Sequence, residues 1–261
     1  MSKTMKAAAL HYVIEGDGPW VTLAHSLATE LSLFDAQAKL LAKRYRVLRI
    51  DIRGHGKSEA PAGPYSMGEL ADDVQVLFQE LQINHTAWVG VSLGGMIGLT
   101  HTLNYPGVID RLVVADTTSG YPPEAHGGWR DRIALVREKG ASAVAEGTLG
   151  RWFTAAFREK NPELMRHFAA TIAATPSVGF VGCCEAIIGY DIKARLGEIK
   201  CPTLVMVGDQ DQATPPAMGQ VLAEGITSAT FSLIPSAAHQ ASVEQPKPFN
   251  DLMEKFLASA N

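Results

Sequence analysis

Three nearly unbroken apolar runs constrain this chain more than any other feature: TAWVGV at 86–91, LVVAD at 112–116 and TLVMVG at 203–208. A strand with one wet face alternates apolar and polar residues. A run apolar at almost every position suits a strand covered on both faces, as parallel strands are when crossover helices pack above and below them. Further strand candidates lie at 10–14, 20–24, 46–51 and 231–234, and helical stretches separate most of them. One such stretch is FDAQAKLLAKR. Another opens on Ser66-Met67-Gly68-Glu69, a capping box in which the serine oxygen and the glutamate carboxylate satisfy orphan backbone amides. It continues with Leu70, Val74, Leu77, Phe78 and Leu81 on one face. A helix from residue 93 to about 104 stops near Pro106, and a last one spans about 248–257. The expected fold class is α/β, a mostly parallel central sheet flanked by helices.

The alternation breaks once. Between about Gly120 and Gly197 no convincing strand occurs, only helical stretches with breakers between them. Asn161-Pro162-Glu163 reads as an N-cap, a first-turn proline and an acidic first turn. The expected organisation is a sheet unit over 1–118, a helical insertion over 119–198, and the rest of the sheet unit over 199–261. No internal repeat or low-complexity tract appears.

Composition narrows the function classes without naming one. The chain has 261 residues, 46% hydrophobic and 19% charged, enough apolar content for a packed core. A formal net charge of -4 argues against a nucleic-acid partner, which calls for a basic face. No apolar run approaches the ~20 residues of a membrane span. The first residues lack the apolar stretch and cleavage site of a signal peptide, so a cytoplasmic location is expected. Cys183, Cys184 and Cys201 have neither disulfide-framework nor metal-site spacing and read as buried apolar residues.

Chemistry enters at Gly90-Val91-Ser92-Leu93-Gly94, which matches G-x-S-x-G and is followed by Gly95. It sits between an apolar strand and a helix, where a sharp turn with small flanking residues exposes a nucleophilic hydroxyl. A serine hydroxyl needs a base to remove its proton and a carboxylate to orient that base. The segment from Gly208 to Pro215, directly after TLVMV, offers Asp209 and Asp211, and Asp116 ends the preceding strand. His239 follows the last strand candidate, a placement shared by none of His11, His25, His55, His85, His101, His126 and His167.

With these blocks in place, residues 20–116 and 200–261 resemble the α/β-hydrolase superfamily. The loop from Asp51 to Ser58 resembles its D-x-R-G-x-G-x-S segment, read here as structural: Asp51 and Arg53 form turn or ion-pair contacts and His55 is not catalytic. The resemblance implies an α/β-hydrolase fold with a helical lid inserted after the sixth strand. It implies a triad of Ser92, Asp211 and His239, with Asp209 a loop residue, because the family's G-x-x-D-x-x-x-P spacing falls on Asp211. It also implies an oxyanion hole from the backbone N–H groups of Leu27 and Leu93, and no metal or organic cofactor.

LGRWFTAAF at 149–157, GCCEAI at 182–187 and the segment from His25 to Phe34 further resemble the 3-oxoadipate enol-lactonases. His25 stands where that family would have Asn and Ala28 where it would have Gly. The implied reaction is hydrolysis of a small ester or lactone through an acyl-enzyme. His25, Trp129, Arg130, Arg151 and Trp152 are the candidate substrate contacts, since a carboxylate-bearing lactone needs an apolar wall and a cationic or N–H partner. A carboxylesterase or lactonase of other specificity, perhydrolase side activity, a lyase or oxygenase, and a ligand receptor are the competing outcomes on this scaffold. Epoxide hydrolases and haloalkane dehalogenases need a carboxylate where this chain has Ser92. Oligomeric state is not encoded legibly.

Overall fold

A computed structural model describes residues 7–259. The expectation about an N-terminal leader falls partly on residues 1–6, outside the described residues. The sheet unit begins with β1 (Tyr12–Glu15), β2 (Trp20–Ala24), α1 (Asp35–Leu41), β3 (Arg46–Ile50), α2 (Met67–Glu80), β4 (Thr86–Val91), α3 (Leu93–Asn104) and β5 (Ile109–Ala115). The chain then runs through α4 (His126–Lys139), α5 (Ala145–Trp152), α6 (Ala155–Lys160), α7 (Pro162–Ala174) and α8 (Ser177–Ile188). It returns as β6 (Thr203–Gly208), α9 (Pro216–Gly225), β7 (Ala229–Ile234), α10 (Ala241–Glu244) and α11 (Pro246–Ala258).

The seven strands lie in the order β1-β3-β2-β4-β5-β6-β7, with β1 antiparallel to β3 and every other pair parallel. β4 and β6 are buried along their whole length, as unbroken apolar runs require. From β2 the chain steps to β3 on one side and then to β4 on the other. The carboxyl ends of β2 and β4 therefore lie side by side, with Ala24 opposite Gly90, and their following loops part over a crevice. Such a switch point is where open α/β sheets place their ligands.

The insertion follows the fifth described strand, not a sixth. Before Tyr12 the backbone amides of Ala8, Ala9 and His11 donate to the side chains of Asp73, Glu59 and Ser58, not to a neighbouring strand. An isolated bridge between Gly120 and Asp191 joins the outgoing and returning chain. Glu244, buried at the end of α10, accepts from the amides of Ala238 and Thr154 and from the Thr154 hydroxyl, tying the insertion to the loop after β7. The capping box of α2 forms as read, with Glu69 N donating to Ser66 Oγ and Ser66 N donating to the Glu69 carboxylate. Asn161 does sit at the N-cap of α7, yet its side-chain amide turns back to donate to Phe157 O in α6 and makes no capping bond to α7.

Among the described residues no single helix is long and apolar enough to cross a membrane; α7 and α8 reach that measure only as a pair bent by 91°. No group of three or more His, Cys, Asp or Glu side chains there is arranged to hold a metal.

Candidate active site

Ser92 occupies the junction between β4 and α3 with φ 53° and ψ −113°. A non-glycine residue there is strained, and the surrounding contacts hold it: Ser92 N donates to Ala115 O, while Met96 N and Thr117 Oγ1 donate to Ser92 O. The flanking glycines are obligatory. A Cβ on Gly90 would lie 2.3 Å from Gly94 O, and one on Gly94 would lie 2.0 Å from Ala24 O. The turn is thus wedged against the end of β2.

His239 arrives on the loop after β7, and its Nε2 lies 3.0 Å from Ser92 Oγ. On the other side of the ring, Nδ1 donates to Asp211 Oδ2 at 2.8 Å. The carboxylate is an acceptor, so the proton sits on Nδ1 and Nε2 is free to accept from the serine hydroxyl. Asp211 is itself fixed by the amides of Ala213 and Thr214 and the Thr214 hydroxyl. Burial, the largest influence on this carboxyl, works to raise its pKa. The charge of His239 and the hydrogen bonds from His239 and Thr214 outweigh burial and hold it below the ordinary range.

Neither rival carboxylate reaches the ring. Asp209 is exposed and accepts from Ala237 N. Asp116 is fully buried and accepts from Gly208 N and Ala241 N. Its burial, and then the negative charge of Asp211, push its pKa well above the ordinary value.

Beside Ser92 and His239 opens a cavity of about 230 Å³, lined by Leu27, Ala28 and Met96 of the sheet unit, by residues of the insertion, and by Gln212 and Ala213 of the loop after β6. Among the described residues the backbone amides of Leu27 and Leu93 have no hydrogen-bond acceptor.

A family model for the alpha/beta hydrolase fold matches residues 19–246. The chain belongs to the α/β-hydrolase family. It is 35% identical to 3-oxoadipate enol-lactonase 2 of Acinetobacter baylyi over 260 residues, covering 99% of this chain and 96% of that protein. The crystal structure of the enol-lactonase from Burkholderia xenovorans LB400 superposes with a TM-score of 0.92 at 35% identity, covering 97% of each chain. A malate-bound thermophilic esterase from Thermogutta terrifontis superposes with a TM-score of 0.91 at 27% identity, over 96% of this chain and 93% of that one. This α/β-hydrolase is therefore an enzyme of the hydrolase class.

The residues singled out as substrate contacts divide sharply. Trp129, Arg151 and Trp152 line the hydrolase's cavity. Arg130 does not; it is exposed. On α4 the inward face carries Trp129, Ile133 and Val136, and the residue that shares it at helical spacing is Arg132, three after Trp129. Arg130 lies about 100° around the helix from Trp129. His25 is also outside the cavity, completely buried behind the loop after β2.

The polar side chains Tyr121, Arg132, Thr148 and Gln212 also line the cavity, and the sequence reading singled out none of them. Only Arg132 had a usable sequence signal, its helical period with Trp129. Its guanidinium carbon stands 4.7 Å above the centre of the Trp129 ring, a cation–π contact. Among the described residues neither Arg132 nor Arg151 has an ion pair or a hydrogen bond. Burial lowers both pKa values, and the like charge of Arg151 lowers that of Arg132 further. The buried Thr148 hydroxyl, in the same wall, also lacks a partner.

Proposed function

We propose that this hydrolase cleaves a small, carboxylate-bearing lactone through a serine acyl-enzyme, with 3-oxoadipate enol-lactone as its substrate. The observation that carries the reading is the pair of guanidiniums without an anionic partner among the described residues, Arg132 and Arg151, in the wall of the small cavity that contains Ser92. Two like charges at a partly buried site are each destabilised until an anion joins them. A substrate carboxylate supplies that anion, and the Trp129 and Trp152 rings supply an apolar wall for the ring atoms. The named enol-lactonase relative supports the same choice.

In this reading His239 Nε2 takes the Ser92 proton as Oγ attacks the lactone carbonyl. The amides of Leu27 and Leu93 donate to the developing oxyanion; a donor of this kind is worth about 3 kcal/mol in the transition state. Collapse of the tetrahedral intermediate breaks the ring C–O bond, and the imidazolium returns its proton to the departing enolate. His239 then deprotonates a water that attacks the acyl-enzyme, and the second collapse frees the carboxylate and restores Ser92. Asp211 keeps the ring in the Nδ1–H tautomer and stabilises its charged form.

The test has two parts. A fluorophosphonate probe should label Ser92, and Ser92→Ala should abolish ester turnover; failure of either removes the acyl-enzyme. Parallel kcat/KM values for the enol-lactone and for aryl acetates then decide the substrate. An aryl ester preferred by orders of magnitude would replace the lactonase with a general carboxylesterase.

A further inference from the structure

The loop after β2 is held from behind by two histidines that the reaction does not use. We propose that His25 and His55 are positioning residues of the oxyanion hole, each fixing one of the two peptide planes that flank Leu27. The proposal rests on the reading of Leu27 as an oxyanion donor.

The amide of Leu27 belongs to the Ser26–Leu27 peptide, so its direction is set by where Ser26 O points. That oxygen accepts from His25 Nδ1 at 2.8 Å, from Thr29 Oγ1 at 2.8 Å and from Thr29 N at 3.2 Å. In a planar trans peptide the N–H points opposite to the carbonyl. With Ser26 O turned away into these donors, the Leu27 N–H is left without an acceptor beside the cavity. The next peptide, Leu27–Ala28, is pinned through Ala28 N, which donates to His55 Nε2 at 2.9 Å.

The two rings form a reciprocal clasp. His25 belongs to the loop after β2 and its Nε2 accepts from Ile52 N of the loop after β3 at 2.9 Å. His55 belongs to the loop after β3 and accepts from the loop after β2. His55 Nδ1 in turn donates to Arg53 O at 3.1 Å. Each Nε2 faces a backbone N–H, so neither can carry a proton; both rings are committed to the neutral Nδ1–H form. They meet edge to face with centres 5.3 Å apart and are wholly buried. Burial depresses both pKa values, that of His55 to about 3.

The clasp is joined to the nucleophile's turn. Gly94 N donates to His25 O, and the Gln240 side chain, next to His239, donates to Ser26 Oγ. Ala28 occupies φ +59°, a conformation that an alanine holds only under constraint, and the His55 contact on its amide supplies one. Removing an acceptor behind the loop frees the peptide to rotate and turns the donor from the transition state, while substrate contacts in the insertion stay as they were.

The experiment compares His55→Leu, which removes the acceptor, with His55→Gln, whose side-chain oxygen reaches the place of Nε2. With p-nitrophenyl acetate, His55→Leu should lose about 10- to 100-fold in kcat with KM changed little, short of the roughly 10²- to 10³-fold that follows outright loss of an oxyanion donor. Its affinity for phenylboronic acid, which forms a tetrahedral adduct on serine, should fall by a similar factor. His55→Gln should recover most of both. Unchanged kcat and boronate affinity in His55→Leu, or no rescue by glutamine, overturns the proposal. A second measurement needs no variant: ring-nitrogen NMR of the native enzyme should show two histidines locked as neutral Nδ1–H near pH 6, and an Nε2–H tautomer or a protonated ring at either position overturns it. Leu27→Pro deletes the amide itself. If that variant keeps full activity, the donor assignment falls and the clasp's role with it. If it loses activity and His55→Leu does not, the donor stands and the clasp alone falls.

Discussion

Asp211 and Asp116 show how one residue type is assigned different work by its partners. Both are buried at the carboxyl ends of neighbouring strands, and Asp116 feels the negative charge of Asp211. Asp211 receives the imidazole N–H; Asp116 receives only backbone amides, from Gly208 and Ala241. Asp211→Asn preserves shape but offers the ring an N–H where it needs an acceptor, favouring the wrong tautomer. Its kcat should fall about 10⁴-fold with little change in Tm. Asp116→Asn points an amide nitrogen at one of two backbone N–H groups, so it should cost about 1–3 kcal/mol of stability. The folded fraction of that variant should keep kcat within about tenfold of the native enzyme. Steady-state kinetics beside thermal melts separates the two, and a reversed pattern would move the acid from Asp211 to Asp116.

At the scale of elements, legibility followed periodicity. The capping box opening α2 and its buried stripe of Leu70, Val74, Leu77 and Phe78 could be read directly, because local spacing and capping chemistry specify them. Ser66→Ala should cost about 1 kcal/mol, measured by chemical denaturation. Asn161 takes the N-cap position of α7 without a side-chain capping bond, because its amide has a competing acceptor, Phe157 O, one helix back. The cavity wall was half legible. Arg151 and Trp152 came through a resemblance, whereas Arg130 was named as the neighbour of Trp129 in sequence, and a helix separates adjacent residues by about 100°. The inward spacing of α4 makes opposite predictions for its two arginines. Arg132→Gln should raise KM for the enol-lactone about 10- to 100-fold, the worth of one charge-assisted hydrogen bond, and leave turnover of neutral aryl acetates within a few-fold. Arg130→Gln should change neither.

For the whole molecule, the parallel sheet was legible because burial on both faces leaves an unbroken apolar signature, whereas the choice of Ser92, Asp211 and His239 as a set came through the family resemblance. The histidines behind the site were not legible. Nothing in a sequence tells that a ring will be buried as an acceptor for a distant backbone amide, as His25 and His55 are, or stacked between helices, as His101 is. His101 lies in α3 against the Trp88, Phe78 and Tyr105 rings and contacts Gln75 Oε1 through Nε2. Burial lowers its pKa from 6.5 to about 4. The consequence is global. A base whose folded pKa is depressed takes up its proton more readily in the unfolded chain. Its contribution to stability is therefore whole above 6.5 and is lost as pH falls toward the folded value. For His101 the loss amounts to about 3 kcal/mol once pH drops below 4, and His55 adds to it down to about pH 3. His101→Phe keeps the ring contacts and removes the titration, at the cost of the Gln75 hydrogen bond. Its unfolding free energy should be close to or slightly below the native value at pH 7. Between pH 6.5 and 4 it should fall more gently than the native enzyme's, so that the two curves converge or cross. Parallel denaturation curves at several pH values read this directly, and equal slopes would mean that the buried ring already carries its proton in the native state.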